Sequence, residues 1–431
     1  MKTFYHLLAN TLLASVINFT VWFAITFYVY LQTRSVFATS IISGIYLVLT
    51  AISGFWFGSL VDHHKKKNVM LFSSVVSLLL YIVCFVIYII AGQGAFKDPA
   101  SVTLWVFVIL LMIGVIFGNI RTIALATTVT ILIEEKKRDK ANGLVGTASG
   151  VSFLVTSVIS GLLVGLSGMF HVLLLAIFVT GATILHLLPI VIPEKHIVHT
   201  GEKPKKVDIR GTLVAVGAIP GLFALILFNT FNNFLGGVFM ALMDAYGLSL
   251  VSVQAWGLLW GFLSTGFIIG GLVVAKWGLG KNPLRTMFLA NILIWIVSSV
   301  FTLHSSIILL TVGMFIYLCV IPAIEASEQT IIQKVVPHER QGRVFGFAQS
   351  MEQSASPLTA FLIGPIAQFI AIPFMTTGAG VDLIGSWFGT GADRGIALVF
   401  TVTGIIGLVV TIIAMNSKYY ALLSRRYVMG K

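Results

Sequence analysis

Apolar residues along this chain neither alternate nor repeat every three to four positions; they run on without a polar face and are interrupted by short polar clusters. A helix needs about 20 such residues to cross roughly 30 Å of hydrocarbon. On that measure the pattern predicts spans near 7–31, 38–61, 69–91, 102–127, 142–167 and 170–192. After a polar stretch it predicts six more, near 219–243, 251–275, 286–303, 307–333, 344–371 and 395–415. The run Gly211–Ala218 is too short to cross and is expected at the interface. Pro373–Gly395 contains Trp387 and Phe388, but its glycines and Asp382, Asp393 and Arg394 place it outside the bilayer.

Composition supports that reading. Hydrophobic residues make up 58% of the 431 and charged residues only 10%, against about 25% charged in an ordinary globular domain. A soluble enzyme, a nucleic-acid binder and a disordered regulator are all excluded on these figures. The expected fold class is an all-α polytopic membrane protein. Its first apolar run is too long for a signal-peptide core and reads as a retained span. Cys84 and Cys319 lie far apart in apolar runs and read as small core residues, with neither metal-ligand spacing nor a disulfide framework.

Charge then orients the spans. With the N-terminus inside, the outer loops hold only Arg34, Lys97 and Arg394, and Arg121 alone sits within a span; the rest of the 27 Lys and Arg fall on inner segments. This is the positive-inside asymmetry, and it puts both termini in the cytoplasm. The net charge of +12 therefore faces anionic lipid headgroups. A nucleic-acid partner would want one clustered basic surface.

The longest inner polar segment, Pro193–Arg210, divides the spans six and six. The expected organisation is an N-terminal six-helix bundle (1–192), a cytoplasmic linker with its interfacial segment (193–218), and a C-terminal six-helix bundle with a short tail (219–431). Two such bundles related by a parallel repeat bind substrate near the midplane between them. The loop after the second span reads Gly58-Ser-Leu-Val-Asp62-His-His-Lys-Lys66-Lys67. Gly58 permits close helix approach, and Asp62 can accept hydrogen bonds from a helix N-terminus or a basic side chain. Gly58, Asp62, Lys66 and Lys67 are thus expected to form a gate on the cytoplasmic side.

These residues resemble the loop signature of the major facilitator superfamily, Gly-x-x-x-Asp-Arg/Lys-x-Gly-Arg/Lys-Arg/Lys. His63 replaces the usual basic residue and Lys65 the second glycine. Gly271-Leu-Val-Val-Ala275-Lys276 is a degenerate second copy, with alanine where the aspartate would be. The runs Glu325–Lys334, Val336–Phe345, Ala355–Leu358, Gly364–Ala367 and Gly389–Gly395, with Lys140–Leu144, are similar to the bacterial drug-exporter branch that includes macrolide and siderophore efflux proteins. Glu328 departs from those relatives, where asparagine is usual. The resemblance implies the major facilitator fold, export as the direction, and the bacterial inner membrane as the location.

Ionisable groups inside spans are expensive and mark function by default. They are Arg121, Glu325, Glu328 and Glu352, with Asp244 at the outer end of the seventh span. Glu325 and Glu328 share a helix face, and two carboxylates in a low dielectric cannot both ionise cheaply. One is expected to carry a proton, Glu328 first and Glu325 second; a static bridge between Glu328 and Glu352 is the competing reading. Arg121 either snorkels to the interface or partners a carboxylate or anionic substrate. Asn229 and Asn233, four apart among phenylalanines, suit a mixed-polarity pocket, with Asn18 and Trp22 on the opposite wall. No P-loop, HExxH or nucleophile elbow is present in the sequence, so no enzyme activity and no cofactor or metal is expected. The expected partners are protons, lipid and a small-molecule substrate, with the chain acting as a monomer. The sequence reads as a proton-coupled exporter of amphipathic molecules; a dedicated siderophore- or peptide-product exporter and a lipid flippase are the alternatives.

Overall fold

The computed structural model describes residues 2–33, 36–194 and 209–429. It is 89% helical, with no strand among the described residues. In the first part of the chain run α1 (Lys2–Thr33), α2 (Val36–His63), α3 (Lys66–Ala91), α4 (Val102–Gly118), α5 (Ile120–Leu132), α6 (Arg138–Ser167) and α7 (Met169–Leu187). After the short α8 (Ile209–Gly217) come α9 (Leu222–Leu250), α10 (Val253–Trp277), α11 (Pro283–Val300) and α12 (Ile307–Val335). The chain ends with α13 (Gln341–Ile366), α14 (Ile372–Thr376), α15 (Ala379–Phe388), α16 (Ala392–Met415) and α17 (Lys418–Met429). Among the described residues eleven helical stretches are long and apolar enough to cross a membrane. The twelfth expected span lies in α6, whose 30 residues exceed the length a crossing needs. Of the expected linker, 195–208 lie outside the described residues, as do Met1, Arg34 and Ser35 of the sequence reading.

Three elements differ from the apolar pattern. The fourth span is one helical stretch, Val102–Leu132, with a local irregularity at Asn119 between α4 and α5. The eleventh runs on through a π turn at Ala367–Ala371 to Thr376. The segment after it, read as a loop outside the bilayer, contains the helix α15, and Arg394 behind it is buried. Gly389 and Gly391 adopt φ of 91° and 124°, conformations open to glycine, and turn the chain into α16. The Arg394 guanidinium then donates to the carbonyls of Phe388 (2.6 Å), Thr302 (2.9 Å) and Leu303 (2.8 Å) and lies 4.2 Å over the Phe388 ring. A cluster of glycines and charges hid a ten-residue helix and its clamp.

The chain forms two compact units. The first comprises Met1–Ala141, Ala148–Leu213 and Val336–Ser350; the second comprises Asn142–Thr147, Val214–Val335 and Met351–Lys431. In the first, α1 packs on α4 and α7, and α3 on α4, α5 and α7, around a core containing Tyr28, Tyr81, Phe107 and Leu111. Ser73 and Ser77 of α3 donate to the carbonyls of Phe117 (2.8 Å) and Gly114 (2.7 Å) on α4. Small polar residues let the helices close up where lipid offers no hydrophobic drive between them. Glu194 caps α3 from far along the chain, accepting from the Lys66 backbone N–H at 2.8 Å; burial pushes its carboxyl above the ordinary range.

In the second unit α10 and α11 pack on α12, and α9 and α11 on α16. Phe239 and Phe400 stack at 5.0 Å in a core with Trp295, whose indole N–H donates to Asn232 Oδ1 at 2.9 Å. The amphipathic α17 lies across the ends of α9, α11 and α12. There Asn282 donates to Ser424 Oγ at 2.7 Å and Lys334 Nζ sits 4.4 Å over the Tyr427 ring.

Candidate functional site

The loop residues singled out in the sequence acquire partners within the first unit. Asp62, 5% exposed, accepts from the backbone N–H groups of Gly342 (2.6 Å) and Arg343 (2.9 Å) at the start of α13. A carboxylate thus caps a helix N-terminus, where unpaired N–H groups and the helix dipole favour negative charge. The Arg343 Nε lies 3.7 Å from Asp62 Oδ2, and its Nη2 meets His63 Nε2 at 3.0 Å. His63, the departure from the family pattern, therefore takes part in the contact. The Lys67 ammonium donates to the Leu188 carbonyl at 2.5 Å, and the Lys66 backbone N–H goes to Glu194 while its side chain is buried.

Gly58 explains why the capping is possible. A Cβ on it would stand 2.5 Å from the Gly342 carbonyl oxygen and 3.0 Å from Arg343 Cα. On the facing helix, a Cβ on Gly346 would stand 3.0 Å from Gly58 Cα, and one on Gly54 would stand 2.8 Å from the Gly346 carbonyl oxygen. Gly54-x-x-x-Gly58-x-x-x-Asp62 therefore lies against Gly342-x-x-x-Gly346, backbone on backbone. The sequence reading missed Gly342 and Gly346; their matching four-residue spacing was the available signal.

The degenerate copy of that loop meets an equivalent partner in the second unit. A Cβ on Gly143 would stand 2.5 Å from the Ala275 nitrogen, and one on Gly271 would stand 2.8 Å from Thr147 Cα. Asn142 completes the contact by donating to Thr330 Oγ1 (2.8 Å) and Gln333 Oε1 (2.9 Å) on α12. Ala275 stands where the first contact uses Asp62, and the polar bonds of this crossing run instead from α6 to α12.

The three glutamates gather in the second unit. Glu325 and Glu328 are on α12, about one and nearly two turns past Pro322, which breaks the regular hydrogen bonding of that helix. Glu352 comes from α13 and Asn229 from α9. Glu328 neighbours both Glu352 and Asn229, and Glu325 stands one turn before it on the same helix. The fit is loose: Oε1 of Glu328, Oε1 of Glu352 and both amide atoms of Asn229 lack a well-formed bond. Glu325 is exposed while Glu328 and Glu352 are half-buried. Two carboxyl groups this close in an apolar setting can share one proton, and an amide with uncommitted donor and acceptor can follow either state. Asn233 is exposed, and its Nδ2 bonds back to the Asn229 carbonyl at 3.1 Å, while its own carbonyl accepts from Ser356 Oγ at 3.2 Å.

The remaining sequence candidates sit in the first unit. Asn18 and Arg121 line one small cavity together. Trp22 stacks on Tyr46 with ring centroids 3.9 Å apart. Asp244 in the second unit accepts from the Trp256 indole at 2.9 Å.

Comparison with known proteins agrees with this architecture. The sequence matches the Major Facilitator Superfamily over residues 7–360. It is 24% identical over 391 residues to the macrolide efflux protein A of Streptococcus pyogenes, covering 86% of this chain and 90% of the relative. A bacterial homologue of the iron transporter ferroportin, solved in an outward-facing state, shares the fold with a TM-score of 0.72 at 15% identity, covering 97% of this chain and 100% of that one. The human organic anion transporter MFSD10 (TETRAN) does so with a TM-score of 0.68 at 11% identity, covering 95% and 99%. With eleven membrane-length helical stretches among the described residues and a family match over most of its length, the chain belongs to the Major Facilitator Superfamily and is a multi-pass membrane transporter of small molecules, not an enzyme.

Proposed function

We propose that this transporter is an exporter that moves amphipathic, hydrophobic or cationic molecules out of a bacterial cell by alternating access, in exchange for protons. It acts as a monomer in the inner membrane with both termini in the cytoplasm. The observation that carries the reading is the Glu328–Glu352–Asn229 cluster with Glu325 one turn away. A proton from outside adds to a carboxylate oxygen of the pair and neutralises it. The neutral cluster is cheap to hold in an apolar site, and the proton is lost to water when the site faces inward. A cationic substrate competes for the same carboxylate, so its departure outward and the proton's arrival are coupled.

Asp62 serves as the cytoplasmic gate, with Gly58 setting the approach and Lys66 and Lys67 anchoring its loop. Exposed Asn233, with Asn229, Asn18, Trp22 and Arg121, supplies substrate contacts. The 24% identity to a macrolide efflux protein supports a macrolide as the first natural product to try. The test is efflux of ethidium and of a macrolide from cells expressing wild type or Glu328→Gln, with and without collapse of the proton gradient, at matched membrane levels. Gradient-dependent efflux in wild type, reduced at least tenfold in the variant, is the expected result. Wild-type efflux that ignores the gradient would sink proton antiport, and no efflux of either compound would point to a narrow product exporter.

A further inference from the structure

Arg121 lies on the first turn of α5, just after the irregularity at Asn119, and is 3% exposed. Its guanidinium carries five N–H donors and keeps its charge inside proteins. Nη2 donates to Asn10 Oδ1, and Nη1 to Ser74 Oγ and, at 3.4 Å, to the Met70 carbonyl. Nε has no partner. All three acceptors are neutral, and no carboxylate among the described residues forms an ion pair with it. Asn10 has nothing more to offer, since its Nδ2 is turned to the Thr183 carbonyl (2.8 Å) and His186 Nδ1 (3.0 Å). Buried Arg394 makes the contrast: it is ringed by carbonyls and stacked on an aromatic face, and none of its nitrogens is without a partner.

A cavity of about 40 Å³ lies beside Arg121, and none of its lining residues is acidic. That is room for a small ion, since about 10–15 Å³ on the same measure holds a water. Two of its walls carry weakly committed donors. Asn18 Nδ2 reaches Asn119 Oδ1 only at 3.5 Å, and the Tyr81 hydroxyl reaches Asn18 Oδ1 only at 3.4 Å. A buried cation without a counter-charge is costly; here the chain supplies the hole, the donors and the positive charge, but no anion.

We propose that this cavity binds one small monovalent anion, held by Arg121 and by the Asn18 and Tyr81 donors. The anion is either a free inorganic ion such as chloride or the carboxylate end of a transported molecule; both present the same charge and acceptor chemistry. The site stands whether or not the glutamate cluster of the other unit moves protons.

The test is thermal unfolding of the purified full-length protein in detergent, followed by tryptophan fluorescence. Sodium chloride or sodium acetate replaces a bulky sulfonate salt, morpholinoethanesulfonate, at constant ionic strength. The expected result is a saturable rise in Tm of several degrees in wild type. That rise is absent in Arg121→Gln and in Ala14→Leu, which fills the cavity while leaving the cation in place. Either variant suffices if the other does not fold. A response to chloride alone identifies an inorganic ion; a response to acetate, alone or as well, identifies carboxylate recognition. No saturable rise with either anion, or an equal rise in wild type and both variants, overturns the proposal.

Discussion

At the scale of single residues, Gly58 carries the sharpest consequence. A methyl group there meets only backbone, at 2.5 and 3.0 Å, so no rotamer change relieves it. Gly58→Ala is expected to destabilise the protein by about 1–3 kcal/mol, as overpacking does, read as a fall in Tm in detergent. Asp62→Asn keeps the volume but gives up a charge-assisted acceptor, at about 1.5–3 kcal/mol. Arg343→Gln is expected to lower Tm less than Asp62→Asn, because Asp62 is held by the Arg343 backbone N–H at 2.9 Å and its side chain stands off at 3.7 Å. A larger loss in Arg343→Gln would move the weight of the contact to the ion pair. Asp62 and the three glutamates stood out in the sequence because each is chemically out of place in an apolar run, and Gly58 because it lies four residues before Asp62. Gly342 and Gly346 were not, since glycine is ordinary in membrane helices and nothing along the chain ties residue 58 to residue 342. The buried setting of Arg394 was hidden for the opposite reason, being surrounded by residues that look like a loop.

Among the elements, hydrophobic runs announced the spans but not their ends or irregularities. In lipid a helix needs no polar face, so the usual period is missing and only length remains as a signal. Asn119 marks a local irregularity in the fourth run, and the eleventh helix continues past its apolar stretch to Thr376. The tail helix α17 belongs to this scale. Gly221 has φ of 84°, and a Cβ there would lie 2.5 Å from the Tyr419 carbonyl oxygen and 2.8 Å from Leu423 Cβ. Gly221→Ala combines left-handed strain of about 1–2 kcal/mol with displacement of α17. It is expected to raise tryptic cleavage at Arg425 and Arg426 severalfold, leaving the rest of the chain intact; an unchanged digest would show that α17 is held by its other contacts.

For the whole molecule, the distribution of Lys and Arg predicts an orientation that labelling can check. In a Cys84→Ala, Cys319→Ala background, Asp98→Cys is expected to react with an impermeant maleimide on intact cells. Lys137→Cys is expected to react only after permeabilisation; the reverse pattern would invert the topology. A simple cut between the sixth and seventh spans does not describe the two compact units, because Asn142–Thr147 and Val336–Ser350 each group with the other part of the chain. No linear pattern contains that exchange; it arises from the glycine crossings, which bring distant segments closer than side chains would allow.

The crossing of α2 and α13 also bears on how such a chain can diverge. Most helix contacts change over generations by paired exchange, a larger side chain on one face answered by a smaller one opposite. Gly54, Gly58, Gly342 and Gly346 leave nothing to exchange, since both faces are already at the smallest residue. Descendants of this sequence therefore have no compensated route to change at these four positions, whatever becomes of the rest of the chain.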